Sequence, residues 1–347
     1  MTLALVTGSL GWLGTRLVSA LLDGLPEVDA LARPGKRAVR CLVLPEADMA
    51  PLGALAERVE ISRGDLTDRA SLDAFVKDAK GATLFHCAGV IHPSRGTSEF
   101  RAVNVEGTRN LIDAAKHAQV RRVVHVSSNS PIGTNRAPDE VFDESAPFHP
   151  YMGYGKSKML AEQIVNAASG DIETVIIRPP WFYGPGQPPR QTVFFTMIKE
   201  GRGPIVGSGD NRRSMAYVDN ICQGLLLCER TEAARGQTYW IADAHPYTMN
   251  EILGTVERLL ETDFGMQVAH KRMHLPGIAS QIAYGVDGLM QSVGLYHQKI
   301  HVLSEMNKTI ACTIDKARRE LGYDPKIALE EGMRRSIRWL LDHGGTI

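Results

Sequence analysis

Short apolar or β-branched runs alternate along the chain with longer stretches in which apolar positions recur every three or four residues. That alternation predicts an α/β fold, a doubly wound parallel sheet with helices on both faces. The predicted strands are Leu3 to Val6, Ala82 to His86, Arg122 to Ser127 and Thr174 to Arg178. Helical patterns fill the intervals, at Trp12 to Leu22, Ser71 to Ala79, Val103 to Ala118 and Lys156 to Ala168. The segment PPWFYGPGQPP after Arg178 breaks the pattern, because proline and glycine interrupt both kinds of element. Beyond it, helical stretches near Asn250 to Thr262, Ile278 to Val293 and Leu329 to Asp342 are less regularly spaced. The expected division is a sheet domain over residues 1–180, to which some later segments return, and a smaller C-terminal lobe over 181–347.

A length of 347 residues suits one large or two modest domains. Lys plus Arg and Asp plus Glu both number 39, so no field of one sign exists to hold a polyanion, and nucleic acid is not expected as a partner. The five cysteines (Cys41, Cys87, Cys222, Cys228, Cys312) are scattered and form no CxxC pair, as for reduced packing residues. The opening MTLALVTGSLGWLG is apolar but has neither the basic start nor the cleavage site of a signal peptide. The late apolar stretch Pro276 to Tyr296 is broken by Gln281, Asp287 and Gln291, short of a spanning run. A cytoplasmic protein without stable membrane insertion is expected. No His, Cys or carboxylate spacing suggests a metal.

Gly8, Gly11 and Gly14 stand in TGSLGWLG between the first strand and a helix. Glycine there permits a tight turn and close backbone approach to a pyrophosphate, which the helix N-terminus attracts through its NH groups and dipole. This is a Rossmann-type dinucleotide turn, implying NAD or NADP. The residue that chooses between them follows the second strand, and two registers are open. With a strand at Val28 to Ala32, Arg33, Lys36 and Arg37 would suit a 2′-phosphate. With a strand at Val39 to Leu44, favoured by its distance to Gly64, Glu46 and Asp48 follow, and the choice leans to NAD.

Tyr154 and Lys158 are four apart at the start of a helical pattern, so phenol and ammonium share a face. A nearby cation favours phenolate, and a tuned phenol can exchange a proton with a substrate oxygen.

These residues belong to a longer series, in order: TGSLGWLG at Thr7, GDLTD at Gly64, HCAG at His86, NVEGTRNLIDAA at Asn104, HVSSNSPIG at His125, YGKSK at Tyr154, RPPWFYGPG at Arg178, RSMAYVDN at Arg213 and KARRELGYDP at Lys316. The series resembles the extended short-chain dehydrogenase/reductase family, the NAD-dependent epimerases and dehydratases, over Leu3 to about Leu341. The resemblance implies Tyr154 as general acid/base, Lys158 lowering its pKa and holding the nicotinamide ribose, and Ser128, ahead of Gly133, as the hydroxyl partner; Ser127 and Ser130 lie close by. It implies a cofactor site of Gly8, Gly11, Trp12, Leu13, Gly14, Asp65, Leu66, Ala88, Gly89 and Asn104, where Asn104 also suits a helix start. Homodimerisation through the helices that carry Asn104 and Tyr154 is implied as well.

Within that family the dehydratases carry Asp-Glu after the catalytic hydroxyl residue, where this chain has Asn129-Ser130. Sugar-nucleotide enzymes carry asparagine where Trp181 stands, whereas Arg213 matches an arginine that contacts a substrate pyrophosphate. Between Ala269 and Cys312 the chain resembles the apolar lobe of 3β-hydroxysteroid dehydrogenase-like members, fit to line a lipophilic pocket, cover an entrance or simply pack. A small-molecule oxidoreductase acting on a bulky secondary alcohol or ketone is the favoured expectation, with Ser128, Asn129, Trp181 and Arg213 on the substrate. A nucleotide-sugar epimerase with tightly bound NAD and a non-catalytic cofactor-sensing regulator are the alternatives.

Overall fold

The structure is a computed structural model that describes residues 2–347. Seven strands make one sheet: β1 (Thr2–Thr7), β2 (Arg37–Val43), β3 (Glu60–Arg63), β4 (Thr83–His86), β5 (Arg122–Val126), β6 (Glu173–Arg178) and the strand Thr238–Trp240. From one edge the order is Thr238–Trp240, β6, β5, β4, β1, β2, β3, with every pairing parallel. A parallel sheet is covered on both faces, which is why β4 is buried at all four positions and β6 at five of six. Helices α1 (Trp12–Asp23), α2 (Arg69–Phe75), α3 (Thr108–His117), α4 (Met152–Ala167), α5 (Pro189–Lys199) and α6 (Val218–Arg230) follow the chain. Leu17 and Leu21 of α1 and Ile221 of α6 pack with Val6, Val124 and Val175 on one face. Leu72 of α2, Leu111 of α3 and Val165 of α4 pack with Leu5, Leu84 and Val123 on the other. Neighbouring strand residues point to opposite faces, so Leu5 and Val6 serve different layers.

Strand order reverses between β1 and β4, which opens a crevice at their carboxyl ends. Of the two registers for the second strand, Arg37–Val43 is the one formed, pairing Thr2 with Arg37 and Thr7 with Leu42. Residues Asp29–Leu31 form a short 3-10 turn instead of a strand. Because β2 runs parallel to β1, Arg37 lies at its amino end, opposite the Gly8 turn, and is paired with Glu229 at 2.9 Å. The basic cluster Arg33, Lys36 and Arg37 therefore sits away from the crevice. The helix expected over Val103 to Ala118 opens as a π-helical segment, Phe100–Gly107, before α3. The helix expected from Lys156 begins earlier, at Met152, which places Tyr154 in its first turn.

The remaining helices are α7 (Met249–Thr262), α8 (Ile278–Ser292), α9 (Gln298–Glu305), α10 (Asp315–Leu321) and α11 (Leu329–Asp342). Ile252, Val256 and Leu259 of α7 pack with Met333 and Ile337 of α11 over Phe195 and Met215, a third core apart from the sheet layers. Helices α8 and α9 lie over the start of α4, where Gln291 Oε1 accepts from the Gly153 amide at 3.0 Å.

Candidate active site

The turn after β1 is shaped by missing side chains. Gly8 has φ +74°, and a Cβ there would lie 2.6 Å from the Ala88 amide nitrogen. A Cβ on Gly14 would strike the Gly8 carbonyl, and one on Gly11 would come within 3.2 Å of it. Helix α1 starts after Gly11 with no side-chain cap and no acidic residue in its first turn. Its first NH groups are thus left to an anion, and this cradle fits the pyrophosphate of a dinucleotide. Gly8→Ala forces an L-residue into the left-handed region against the Ala88 backbone. It is expected to cost about 1–3 kcal/mol and to abolish the rise in melting temperature that NAD gives the parent protein.

Leu13 is buried in the sheet's core beside this turn. The Trp12 indole turns elsewhere: its Nε1 donates to the Pro185 carbonyl at 2.7 Å and its ring lies 4.8 Å from that of Phe182. Asp65 follows β3, its Oδ1 accepting from the Thr67 amide and hydroxyl at 2.8 Å. Leu66 is buried against the Cα of Gly107, where a Cβ would come within 2.8 Å of it. Ala88 and Gly89 continue β4 into the crevice, and the Gly89 Cβ position is 4.0 Å from Lys158 Nζ. The Asn104 amide is fully engaged: Oδ1 accepts from the Val90 amide at 2.7 Å, while Nδ2 donates to the Val90 carbonyl and Ser157 Oγ, both at 2.9 Å. Ser157 Oγ in turn donates to the Tyr154 carbonyl at 2.7 Å, so Asn104 ties the segment after β4 to the first turn of α4.

Tyr154 is held between Ser128 and Phe100, the two rings 6.1 Å apart. Burial pushes its phenol up to about 12, against the pull of the Ser128 hydroxyl, and the Glu305 carboxylate adds to the rise. Lys158 Nζ donates to the Val126 carbonyl at 2.8 Å and to His125 Nε2 at 3.3 Å. Burial lowers its ammonium to about 8, while Glu162 opposes that shift. The expected depression of the Tyr154 pKa by Lys158 is therefore absent: desolvation outweighs any effect of the cation, and the phenol keeps its proton at neutral pH. The three serines separate clearly. Ser127 Oγ donates inward to Glu162 at 2.5 Å, Ser128 faces Tyr154, and Ser130 Oγ accepts from Ser128 at 3.2 Å. Asn129 accepts from Ser128 on its Oδ1 at 3.4 Å and is half-buried.

Two candidates for substrate contact also touch the protein, and the Arg213 Nε is left buried without a hydrogen-bond partner. Arg213 is buried and donates to the Glu305 carbonyl at 2.5 Å, and its neighbour Arg212 donates to the carbonyls of Pro138 and Glu140. Trp181 is half-buried and packs edge-on to Phe194 at 5.8 Å.

Several residues around the site were missed in the sequence. Glu162, four positions beyond Lys158 on α4, is fully buried and holds Arg178 through two bonds of 2.6 and 3.0 Å. Its spacing was a readable sign, since positions i and i+4 share a face. His86 and His125 lie side by side under Lys158, their rings 5.0 Å apart, and burial drives both well below the ordinary imidazole value. Tyr296, from the α8–α9 connection, packs edge-on to Phe100 at 6.0 Å, and its hydroxyl meets His92 Nδ1 at 2.6 Å. Nothing local marks Tyr296, because only the tertiary fold brings it to His92, 204 positions earlier.

Comparison with known proteins agrees with this geometry. The model of the "NAD dependent epimerase/dehydratase family" matches residues 4–242. The chain is 52% identical over 345 residues to the "Uncharacterized protein y4nL" of Sinorhizobium fredii, covering 99% of this chain and 96% of that one. It is 30% identical to a 4-hydroxy-2-methyl-3-oxo-4-farnesyl-3,4-dihydroquinoline-1-oxide ketoreductase of Stigmatella aurantiaca, covering 94% and 93% of the two chains. It is 31% identical to a 3 beta-hydroxysteroid dehydrogenase/Delta 5-->4-isomerase of Mycobacterium tuberculosis, covering 96% and 89%. The crystal structure of gox2253 superposes with a TM-score of 0.78 at 22% identity over the whole of both chains, a likeness of fold. The chain belongs to the NAD-dependent epimerase/dehydratase family, within the extended short-chain dehydrogenases/reductases.

Proposed function

We propose that the protein is an NAD-dependent oxidoreductase that interconverts a bulky, lipophilic secondary alcohol and its ketone. The observation that carries this reading is the aromatic wall of Phe100 and Tyr296 beside Tyr154, which suits an apolar substrate. The ketoreductase and hydroxysteroid dehydrogenase named among the relatives act in the same chemical class.

A bound nicotinamide supplies or accepts the hydride, and the protein's part is orientation and proton transfer. In the ketone direction the neutral Tyr154 phenol donates its proton to the carbonyl oxygen, while Ser128 donates a hydrogen bond to the same atom. In the alcohol direction the reverse transfer requires Tyr154 as phenolate, which the raised pKa disfavours at neutral pH, so ketone reduction is the favoured direction. Lys158, whose Nζ lies 4.0 Å from the Gly89 Cβ position, would hold the ribose and supply a positive charge to the site. Gly8, Gly11 and Gly14 would seat the pyrophosphate and Asp65 the adenine, and the acidic residues Glu46 and Asp48 after β2 favour NAD over NADP.

The test is reduction of a panel of lipophilic ketones with NADH, followed at 340 nm. Net cofactor turnover is expected; interconversion of a UDP-sugar without net turnover would replace this reading by the epimerase one. Ser128→Ala is expected to lower kcat by about 10²–10³, the loss typical when one donor to a developing oxyanion is removed. With Lys158 at about 8, its cation disappears as pH rises through that value. The pH profile of kcat/KM for ketone reduction should therefore fall on its alkaline side near pH 8, and a profile flat through the alkaline range would count against the role given to Lys158.

A further inference from the structure

Two buried histidines beneath Lys158 take no part in the chemistry above. His86 ends β4 and pairs in the sheet with His125 of β5. Burial keeps both neutral, His86 at about 3 and His125 also well below the ordinary imidazole value, and the Lys158 cation adds to both shifts. A neutral imidazole has one N–H and one lone pair, so its neighbours decide which nitrogen carries which. For His86 both are committed. Thr108 Oγ1 donates its one proton to the Asn104 carbonyl at 2.7 Å, so it accepts from His86 Nε2 at 3.0 Å. His86 Nδ1 therefore accepts, and its donor is Thr7 Oγ1 at 2.8 Å, which itself receives the Ala88 amide at 3.3 Å.

His125 is arranged the other way round. An ammonium can only donate, and Lys158 Nζ lies 3.3 Å from His125 Nε2 and 2.8 Å from the Val126 carbonyl. Nε2 must then be the lone-pair nitrogen and Nδ1 the protonated one, although Nδ1 is buried with no hydrogen-bond partner in the protein. An unpaired buried N–H costs stability, and His86, with both nitrogens engaged, offers it no acceptor. That unpaired group stands where the imidazole meets the cation. Of the three ammonium N–H groups two are thereby held, and one remains for a ligand in the crevice, where Gly89 presents no side chain and its Cβ position is 4.0 Å from Nζ.

We propose that His125 is a positioning residue for Lys158: by accepting one ammonium N–H at Nε2, together with the Val126 carbonyl, it aims the remaining N–H at the nicotinamide ribose and favours the charged amine. The role depends on Lys158 holding that ribose, as in the oxidoreductase reading. The other titratable groups around Lys158 do not replace it. His86 and Cys87, at the end of β4, are neutral, the thiol pushed up to about 12 by burial, and Glu162, on the same helix as Lys158 and Tyr154, is paired with Arg178 at 2.6 Å. Among the described residues, His125 is the one side chain that accepts from Lys158 Nζ.

The tautomer is read by nitrogen NMR on the cofactor-free parent chain labelled at histidine, with His125 assigned through its side-chain carbons to the backbone. At pH 7 His125 is expected as the Nδ1–H form; the Nε2–H form overturns the proposal. Carbon NMR at the lysine ε position then follows Lys158, which stands apart from ordinary lysines by titrating near 8. His125→Leu should lower that midpoint by about one pH unit, because a hydrogen bond to a charged group is lost, whereas His125→Gln keeps an acceptor and should hold it within about half a unit. NAD binding, followed by fluorescence quenching, should weaken about tenfold in His125→Leu and less in His125→Gln. An unchanged midpoint or unchanged NAD affinity in His125→Leu overturns the proposal, as a histidine that merely packs would cost stability and leave both in place; so does an equal drop in the two variants. The tautomer is measured in the parent chain, so that arm stands even where a variant fails to fold. None of these measurements uses a substrate, so their outcome is separate from that of the ketone-reduction test.

Discussion

Tyr154→Phe is expected to lower ketone reduction by about 10²–10⁴ while the melting temperature and NAD binding stay close to those of the parent. The ring remains, so its contact with Phe100 is kept; what disappears is the one hydroxyl placed to give the substrate oxygen a proton. With the phenol held at about 12, the proton is present throughout the neutral range, and the loss should not depend on pH between about 6 and 8. Stopped-flow or steady-state absorbance at 340 nm on the best ketone provides the measurement. A variant that retains more than a tenth of parental kcat would place the proton donor elsewhere, and the Ser128 hydroxyl would be the next residue to replace.

The second large effect concerns stability. Arg178→Met is expected to destabilise the fold by about 3–5 kcal/mol, because it strands the Glu162 carboxylate in the core. Glu162 is fully buried, and its partners are Arg178 through both bonds and the Ser127 hydroxyl. A buried pair is a weak source of net stability, but one member left alone cannot be resolvated. The double variant Glu162→Leu/Arg178→Met should recover much of the loss, as an apolar pair of similar size needs no solvation. Thermal or denaturant unfolding of the three proteins decides it, and an Arg178→Met variant as stable as the parent would mean that water reaches Glu162. The pair also bears on the site. Glu162 is the largest influence opposing the depression of the Lys158 pKa, so Glu162→Gln should move the alkaline limb of the pH profile to lower pH. Lys158 itself gives the sign for stability: its folded value lies below its ordinary one, so its contribution becomes more favourable as pH rises from about 8 to about 10.5.

The local pattern alone carried much of this protein. Strands buried on both faces need continuous apolar runs, and helices with one covered face need apolar positions three and four apart, so β1, β4, β5 and β6 and their helices were legible. The Gly8 turn and the Tyr154–Lys158 spacing were legible for the same reason, since each is a short-range requirement of backbone or helix geometry. The three-residue strand Thr238–Trp240 was not, because its place at the sheet edge comes from pairing with β6 rather than from its own period. Nor could the chain by itself order the basic residues: only the parallel pairing of β1 with β2 puts Arg37 at the end away from the crevice. Tertiary structure also decided the electrostatics. Lys158 was expected to govern Tyr154, but burial sets both values, and burial is a property of everything packed around them. Nothing near Arg213 in the chain announces the Glu305 carbonyl that its Nη2 meets, 92 positions later. Local sequence thus determined which elements and reactive groups exist. Which of them meet, and which are left free to act, was decided by long-range packing and desolvation, which no local spacing encodes.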